Sequence, residues 1–203
     1  MLLYFILSIP FFLLALVVHE YAHGWVANRL GDPTAKHSGR LTINPIAHID
    51  PVGTIILPVF LLLVHSPFLF GWAKPVPVNF SCLKNPKEDM FWVGIAGPAA
   101  NILTASILAV FLKIPVISAI MILKIVFSQM IVMNVVLAVF NMLPLPPLDG
   151  SRILFSILPN DIAYMYMKLE RYGMFILLGL LWLGVTDKFI WPIVSSIVKF
   201  MGV

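Results

Sequence analysis

Residues 2–27 read LLYFILSIPFFLLALVVHEYAHGWVA. From Leu2 to Val18 the stretch is almost wholly apolar, and it then runs into His19-Glu20-Tyr21-Ala22-His23. A helix needs about 20 such residues to cross a hydrocarbon core, so the stretch predicts a membrane span with a charged motif near its end. Pro10 inside the run is expected to kink it. The run begins without the basic segment that opens a secretory signal, and it reads as a retained helix.

The composition agrees with that reading. Hydrophobic residues make up 61% of the 203-residue chain and charged residues 11%. Soluble domains carry about 25% charged residues, so the departure points to a polytopic membrane protein. Mean hydropathy is +1.01. The length suits a single integral-membrane domain over 1–203, with roughly five or six helices. The net charge of +4 fits basic loops of a membrane protein. No Lys/Arg-rich run marks a nucleic-acid surface, so nucleic acid is not an expected partner. The one cysteine, Cys82, excludes an internal disulfide and a thiolate metal centre.

Further apolar stretches follow at 52–72, 91–112 and 125–143, with a marginal one at 172–185. Residues 189–203 read as an interfacial helix or the second arm of a hairpin. Polar loops at 29–50 and 73–90 carry Arg29, Lys36, Arg40, Lys74, Lys84 and Lys87. The positive-inside rule places these loops in the cytoplasm and the N-terminus outside. The expected fold class is therefore all-α, a polytopic transmembrane helical bundle. One condition is attached. Segment 125–143 must return to the side where the first span ends, and it does so only if 52–72, interrupted by Pro58 and Pro67, is re-entrant and makes no net crossing. Within it, Gly53-Thr54-Ile55-Ile56-Leu57 has strand-like composition. That stretch, or the proline-rich residues 144–147, reads either as an extended edge open to strand addition by another chain or as a loop that merely covers its surroundings.

Residues four apart on a helix share a face, so His19 and His23 can hold one metal ion between them. Glu20 lies beside them as a candidate general base toward water. Ionisable groups near the centre of a membrane helix cost about 2.5–3.5 kcal/mol each on insertion scales, so three within five residues call for a function. A catalytic zinc takes three protein ligands and leaves one position open. Asp149 is the best candidate for the third: it is a lone acid just beyond an apolar helix, and Gly150 frees the backbone beside it. A turn or cap ahead of Arg152 is its competing role.

His19–His23, Gly94-Ile-Ala-Gly97-Pro98-Ala-Ala-Asn101 and the Asn141–Gly150 stretch with its Leu148-Asp149-Gly150 end together resemble the site-2 protease family of intramembrane zinc metalloproteases. The likeness runs from the first span to about Leu158 and matches a minimal member without a PDZ or CBS domain. It implies one catalytic Zn2+ held by His19, His23 and Asp149, with Glu20 as the catalytic glutamate. It implies hydrolysis of peptide bonds in or near transmembrane segments, so the partners are transmembrane protein substrates and the lipid bilayer, in a cell membrane with the active site toward the cytoplasm. It also implies that Asn141 lies near the site and holds substrate or oxyanion. The alternative class is a membrane metal transporter or a non-proteolytic zinc-binding scaffold.

Asn101 is a candidate for the same substrate or oxyanion role, with a cross-helix hydrogen bond as its competing one. His48, in Asn44-Pro45-Ile-Ala-His48-Ile-Asp50-Pro51, is a candidate for substrate contact and, with Asp50, for capping a loop. His37 reads as a solvated loop residue and His65 as a residue at interface depth. Gly94, Gly97 and Ala100 favour close helix packing, and Trp72, Trp92 and Trp191 suit membrane interfaces.

Overall fold

A computed structural model describes residues 2–64 and 73–203 of the chain. The remaining part of the expected re-entrant segment, with His65 and Trp72, lies outside the described residues. Helices α1 (Leu2–Leu30), α4 (Pro86–Leu112) and α6 (Met121–Asn141) are the long ones. Between α1 and α4 lie the short α2 (Thr34–His37) and α3 (Leu57–Leu63). A single turn, α5 (Pro115–Ala119), joins α4 to α6. After α6 come α7 (Asp149–Ile157), α8 (Asn160–Met167), α9 (Glu170–Trp182) and α10 (Trp191–Phe200). No strand occurs among the described residues.

Among the described residues, three helices are long and apolar enough to cross a membrane: Ile9–Leu30, Pro86–Leu112 and Met121–Asn141. Only 33%, 28% and 22% of their most apolar windows are buried inside the protein. Leu103, Val110 and Ile122 are each more than 60% exposed. Apolar surface on that scale needs lipid rather than water as its solvent, so the chain is an integral membrane protein. Glu170–Trp182 and Asp187–Phe200 pass the same length and hydropathy test only as a pair, bent by 70°.

The bundle is organised by one face of α4. Its residues Gly94, Gly97, Asn101, Ala105 and Ala109 recur at helical spacing, and all are buried. Ala105 and Ala109 pack against Ile131 and Val135 of α6, with Ile190 and Val194 closing the cluster. Small residues on one helix against β-branched residues on the next let the axes approach. At the other end of the stripe, a Cβ on Gly94 would sit 3.2 Å from Arg152 Cβ and from Asp149 O, so α7 lies on the backbone of α4.

Residues 53–57 correct the strand-like reading. Pro51–Ile56 is a π-helical turn that passes into α3. Asp50 explains it. Its carboxylate accepts from Val52 N (3.0 Å) and Gly53 N (2.7 Å), and Pro51 occupies the first turn. An Asp N-cap followed by proline is a strong helix start, and here it outweighs the β-branched composition. The apolar helix Pro51–Leu63 is about 20 Å long at about 1.5 Å per residue. The chain that leaves at His48 is met again at Lys74, whose N–H donates to His48 O at 3.0 Å.

Candidate functional site

His19 and His23 lie one turn apart on α1, both buried. Their Nε2 atoms are 3.0 Å apart. Asp149 Oδ2 is 2.9 Å from His19 Nε2 and 3.1 Å from His23 Nε2. Asp149 reaches them because it opens α7 after a sharp reversal. A Cβ on Gly150 would overlap the Met142 and Leu143 carbonyls, so only glycine permits the chain to double back so closely.

The outer nitrogens decide what the inner ones can do. His23 Nδ1 lies 2.6 Å from Val93 O. A carbonyl only accepts, so Nδ1 carries the hydrogen. His19 Nδ1 lies 2.7 Å from Asn101 Oδ1. The Asn101 amide is oriented by its other end, where Nδ2 donates to Ala15 O (2.9 Å) and Asn134 Oδ1 (2.8 Å). Asn134 is fixed in turn by donation from Nδ2 to Met130 O at 2.8 Å. His19 Nδ1 therefore also donates. In neutral imidazoles both Nε2 atoms are then bare lone pairs, facing each other and a carboxylate oxygen. Three electron-pair donors in mutual contact need a proton or a metal ion between them, and the group could hold a metal ion.

The donor set fits zinc. Zinc binds imidazole nitrogen and carboxylate oxygen at about 2.0–2.2 Å, which puts tetrahedral donors about 3.3 Å apart; these three stand 2.9–3.1 Å apart. Room has been left for the rings. A Cβ on Gly97 would lie 2.6 Å from His19 Cε1, 2.7 Å from His19 Nε2 and closer still to His23 Nε2. Among the described residues this is the one cluster of three or more His, Cys, Asp or Glu side chains with ligand atoms this close.

Glu20 points to a different partner: its Oε2 accepts from Val76 N at 2.6 Å. Of the other sequence candidates, Asn101 is brought to the histidine pair, with both ends of its amide engaged. Asn141 donates from Nδ2 to Leu137 O within its own helix at 3.0 Å. His48 is wholly buried and joined through Nε2 to Thr42 O at 2.9 Å, which fits the loop-capping role. Asn134 is wholly buried beside the site and had no local signal in the sequence; a lone asparagine at the centre of an apolar span was the available clue.

YwhC of Bacillus subtilis (strain 168), which carries a zinc-metalloprotease name, is 40% identical over 207 residues, covering 96% of this chain and 90% of that protein. The pattern of peptidase family M50 matches residues 116–183. The chain belongs to peptidase family M50. Rip2 of Mycolicibacterium smegmatis (strain ATCC 700084 / mc(2)155), also bearing a zinc-metalloprotease name, is 27% identical over 98% of this chain and 75% of its own length. Rip2 of Mycobacterium tuberculosis (strain ATCC 25618 / H37Rv) is 29% identical over 72% of this chain and 55% of its own length. No solved structure matches the chain. This M50 member is thus a metalloprotease by family, with protein substrates and a membrane setting, and the likeness to site-2 proteases seen in its motifs holds.

The M50 match includes Asp149 but not the histidine pair. Asp149 is held through its surroundings. Tyr166 Oη donates to Pro144 O at 2.8 Å, and α9 approaches so closely that a Cβ on Gly173 would overlap Pro146 O. Arg152 pairs with Glu170 at 2.7 Å. Helices α8 and α9 therefore brace the proline loop of this M50 chain from behind.

Proposed function

We propose that this M50 protein is an intramembrane zinc endopeptidase that hydrolyses peptide bonds in or near transmembrane segments of other proteins, as one domain over residues 1–203. The observation that carries the reading is the convergence of His19 Nε2, His23 Nε2 and Asp149 Oδ2 within 3.1 Å, with both Nδ1 atoms committed elsewhere. One zinc ion held there supplies Lewis acidity toward a scissile carbonyl and a water.

The chain's own groups do the rest. Val93 O and Asn101 orient the two imidazoles, which keeps their lone pairs inward. Glu20 takes a proton from the attacking water and later gives it to the leaving amine. Of the three substrate or oxyanion candidates, Asn141 is the one carried forward, because Asn101 spends both amide hydrogens on Ala15 O and Asn134 Oδ1 and His48 is wholly buried in its own loop. The apolar helix faces around the site exclude bulk water and strengthen each electrostatic contact.

The active site faces the cytoplasm of a cell membrane, with the N-terminus outside, on the strength of the basic loops. Re-entry of the segment after His48 is supported by the hydrogen bond between His48 O and Lys74 N, which joins its two ends. A transporter would need polar groups spread along a path; here His19, His23, Asn101 and Asn134 form one connected group.

The test uses the full chain purified in detergent. Wild type and Glu20→Gln are incubated with a panel of single-span membrane proteins and with fluorescein-labelled casein, and zinc is counted by mass spectrometry. Cleavage by the wild type, lost in Glu20→Gln with zinc retained, is expected. A wild type that takes up no zinc after reconstitution overturns the proposal.

A further inference from the structure

Residues 73–79 read Ala-Lys-Pro-Val-Pro-Val-Asn and run in neither helix nor strand. The stretch is anchored donor by donor. Lys74 N–H donates to His48 O at 3.0 Å, Val76 N–H to Glu20 Oε2 at 2.6 Å and Asn79 N–H to Asp32 Oδ2 at 2.6 Å. Two of these three acceptors, Glu20 and Asp32, lie on α1 or just beyond its end. The segment is therefore a strap laid along the second half of α1. Asp32 is wholly buried and also accepts from Thr34 N (3.0 Å) and the Thr34 hydroxyl, so the far anchor is firm.

Pro75 and Pro77 carry no N–H. Val76 supplies the one backbone donor of that tripeptide, and it is spent on Glu20. Each proline also restricts the residue before it to extended backbone, which narrows the directions the Val76 N–H can take. The Val76 side chain is 7% exposed. It lies over Gly24, where a Cβ would stand 3.0 Å from Val76 Cγ1. Glycine one turn beyond Glu20 is what lets the strap come this close.

We propose that Val76 is a positioning residue for the general base: its peptide N–H holds one oxygen of the Glu20 carboxylate, so that the other is aimed at the reacting water. The inference rests on the reading of Glu20 as that base. A glutamate side chain gives up rotamer freedom when it is fixed, and a charge-assisted bond from a braced backbone donor fixes it before substrate arrives. A backbone donor also survives every side-chain substitution except proline.

Three forms of the full chain separate the N–H from the side chain. Val76→Pro removes both. Placement of α-hydroxyisovaleric acid at position 76 by nonsense suppression exchanges the N–H for an ester oxygen and keeps the isopropyl group. Val76→Ala, the conservative variant, keeps the N–H. Turnover of fluorescein-labelled casein and bound zinc are measured in each, beside wild type and Glu20→Gln. The ester and the proline variant are expected to lose about 10–100-fold in kcat, a share of the about 10²–10⁴-fold that a general base supplies. KM and zinc content should stay within about twofold, and the alanine variant should recover most of kcat. An ester form with wild-type kcat, or an alanine variant that falls as far as the ester, overturns the proposal. Wild-type cleavage lost in Glu20→Gln but kept in the ester form removes this inference alone. Zinc-loaded wild type that cleaves neither casein nor the membrane panel removes the Glu20 reading and this inference with it.

Discussion

The Nε2 atoms of His19 and His23 lie 3.0 Å apart, and neither carries a hydrogen when the rings are neutral, because each Nδ1 already donates to a fixed oxygen. Two lone pairs at that distance repel. With Asp149 Oδ2 completing the triangle, the arrangement needs a shared proton or a metal ion between the donors. The polarity of the pocket is thus set a shell further out, by Val93 O and Asn101.

Asp149→Asn keeps the shape of the third side chain and removes its charge. Zinc would then stay at +2 in a site of low dielectric, which is costly. Zinc affinity is expected to fall by at least about 100-fold, at the upper end of what even indirect ligand support contributes. Competition with a chromophoric chelator measures it; an unchanged dissociation constant removes Asp149 from the ligand set.

Gly97→Ala tests the space beside the rings. The new methyl would overlap both imidazoles, and overpacking of this kind costs about 1–3 kcal/mol. Loss of bound zinc and a lower melting temperature are expected together. Gly179→Ala is the matched control, since nothing lies within 4 Å of its Cβ position and alanine is the better helix former by about 1 kcal/mol. Equal behaviour of the two variants would mean that α4 does not lie against the histidines.

How much of this was legible beforehand follows from what each feature leaves in the chain. His19, Glu20 and His23 are neighbours within one helical turn, so period and chemistry reveal them together. Asp149 is legible as an isolated acid after an apolar span, but its meeting with His23, 126 positions earlier, is a tertiary fact. The Asn134 contact to Asn101 spans 33 positions and leaves only one polar letter in IVMNVVLAVF. The Val76–Glu20 bond uses a backbone donor, which no side-chain pattern encodes; the flanking prolines were its trace. Residues 53–57 misled because composition suggested a strand while Asp50 and Pro51, just upstream, set a helix start.

Asn101→Leu and Asn134→Leu form a double-mutant cycle along that polar chain. The first strips His19 Nδ1 of its acceptor and should weaken zinc by about 10–100-fold. The second leaves one Asn101 hydrogen buried without its partner, at about 1–3 kcal/mol, and should weaken zinc less. Because the asparagines act through one bond, the double mutant should resemble Asn101→Leu alone. Strictly additive losses in zinc affinity would show that Asn134 does not act through Asn101.

The brace behind the proline loop makes a separate prediction. Gly173→Ala forces α9 away from Pro146 O, and Tyr166→Phe deletes the bond to Pro144 O. The tyrosine variant should cost about 1 kcal/mol of stability with zinc retained. The glycine variant should cost more and also lower zinc occupancy, because the loop it displaces leads directly into Asp149. Zinc binding unaffected in Gly173→Ala would uncouple α9 from the site.

Zinc should stabilise the fold as well as equip it. The three ligands come from α1 and from the start of α7, so the ion would tie the two helices together, and an ion that binds only the folded state adds RT ln(1 + [L]/Kd). At a free zinc concentration of about 100 Kd that is about 2.7 kcal/mol. Chelator-stripped wild type is therefore expected to melt at a lower temperature, and to recover on titration with zinc, while Asp149→Asn shows little recovery at the same free concentration. Magnesium should not substitute, since it prefers six oxygen donors and this site offers two nitrogens and a carboxylate. A melting temperature indifferent to zinc in the wild type would mean that the three side chains meet without a shared ion.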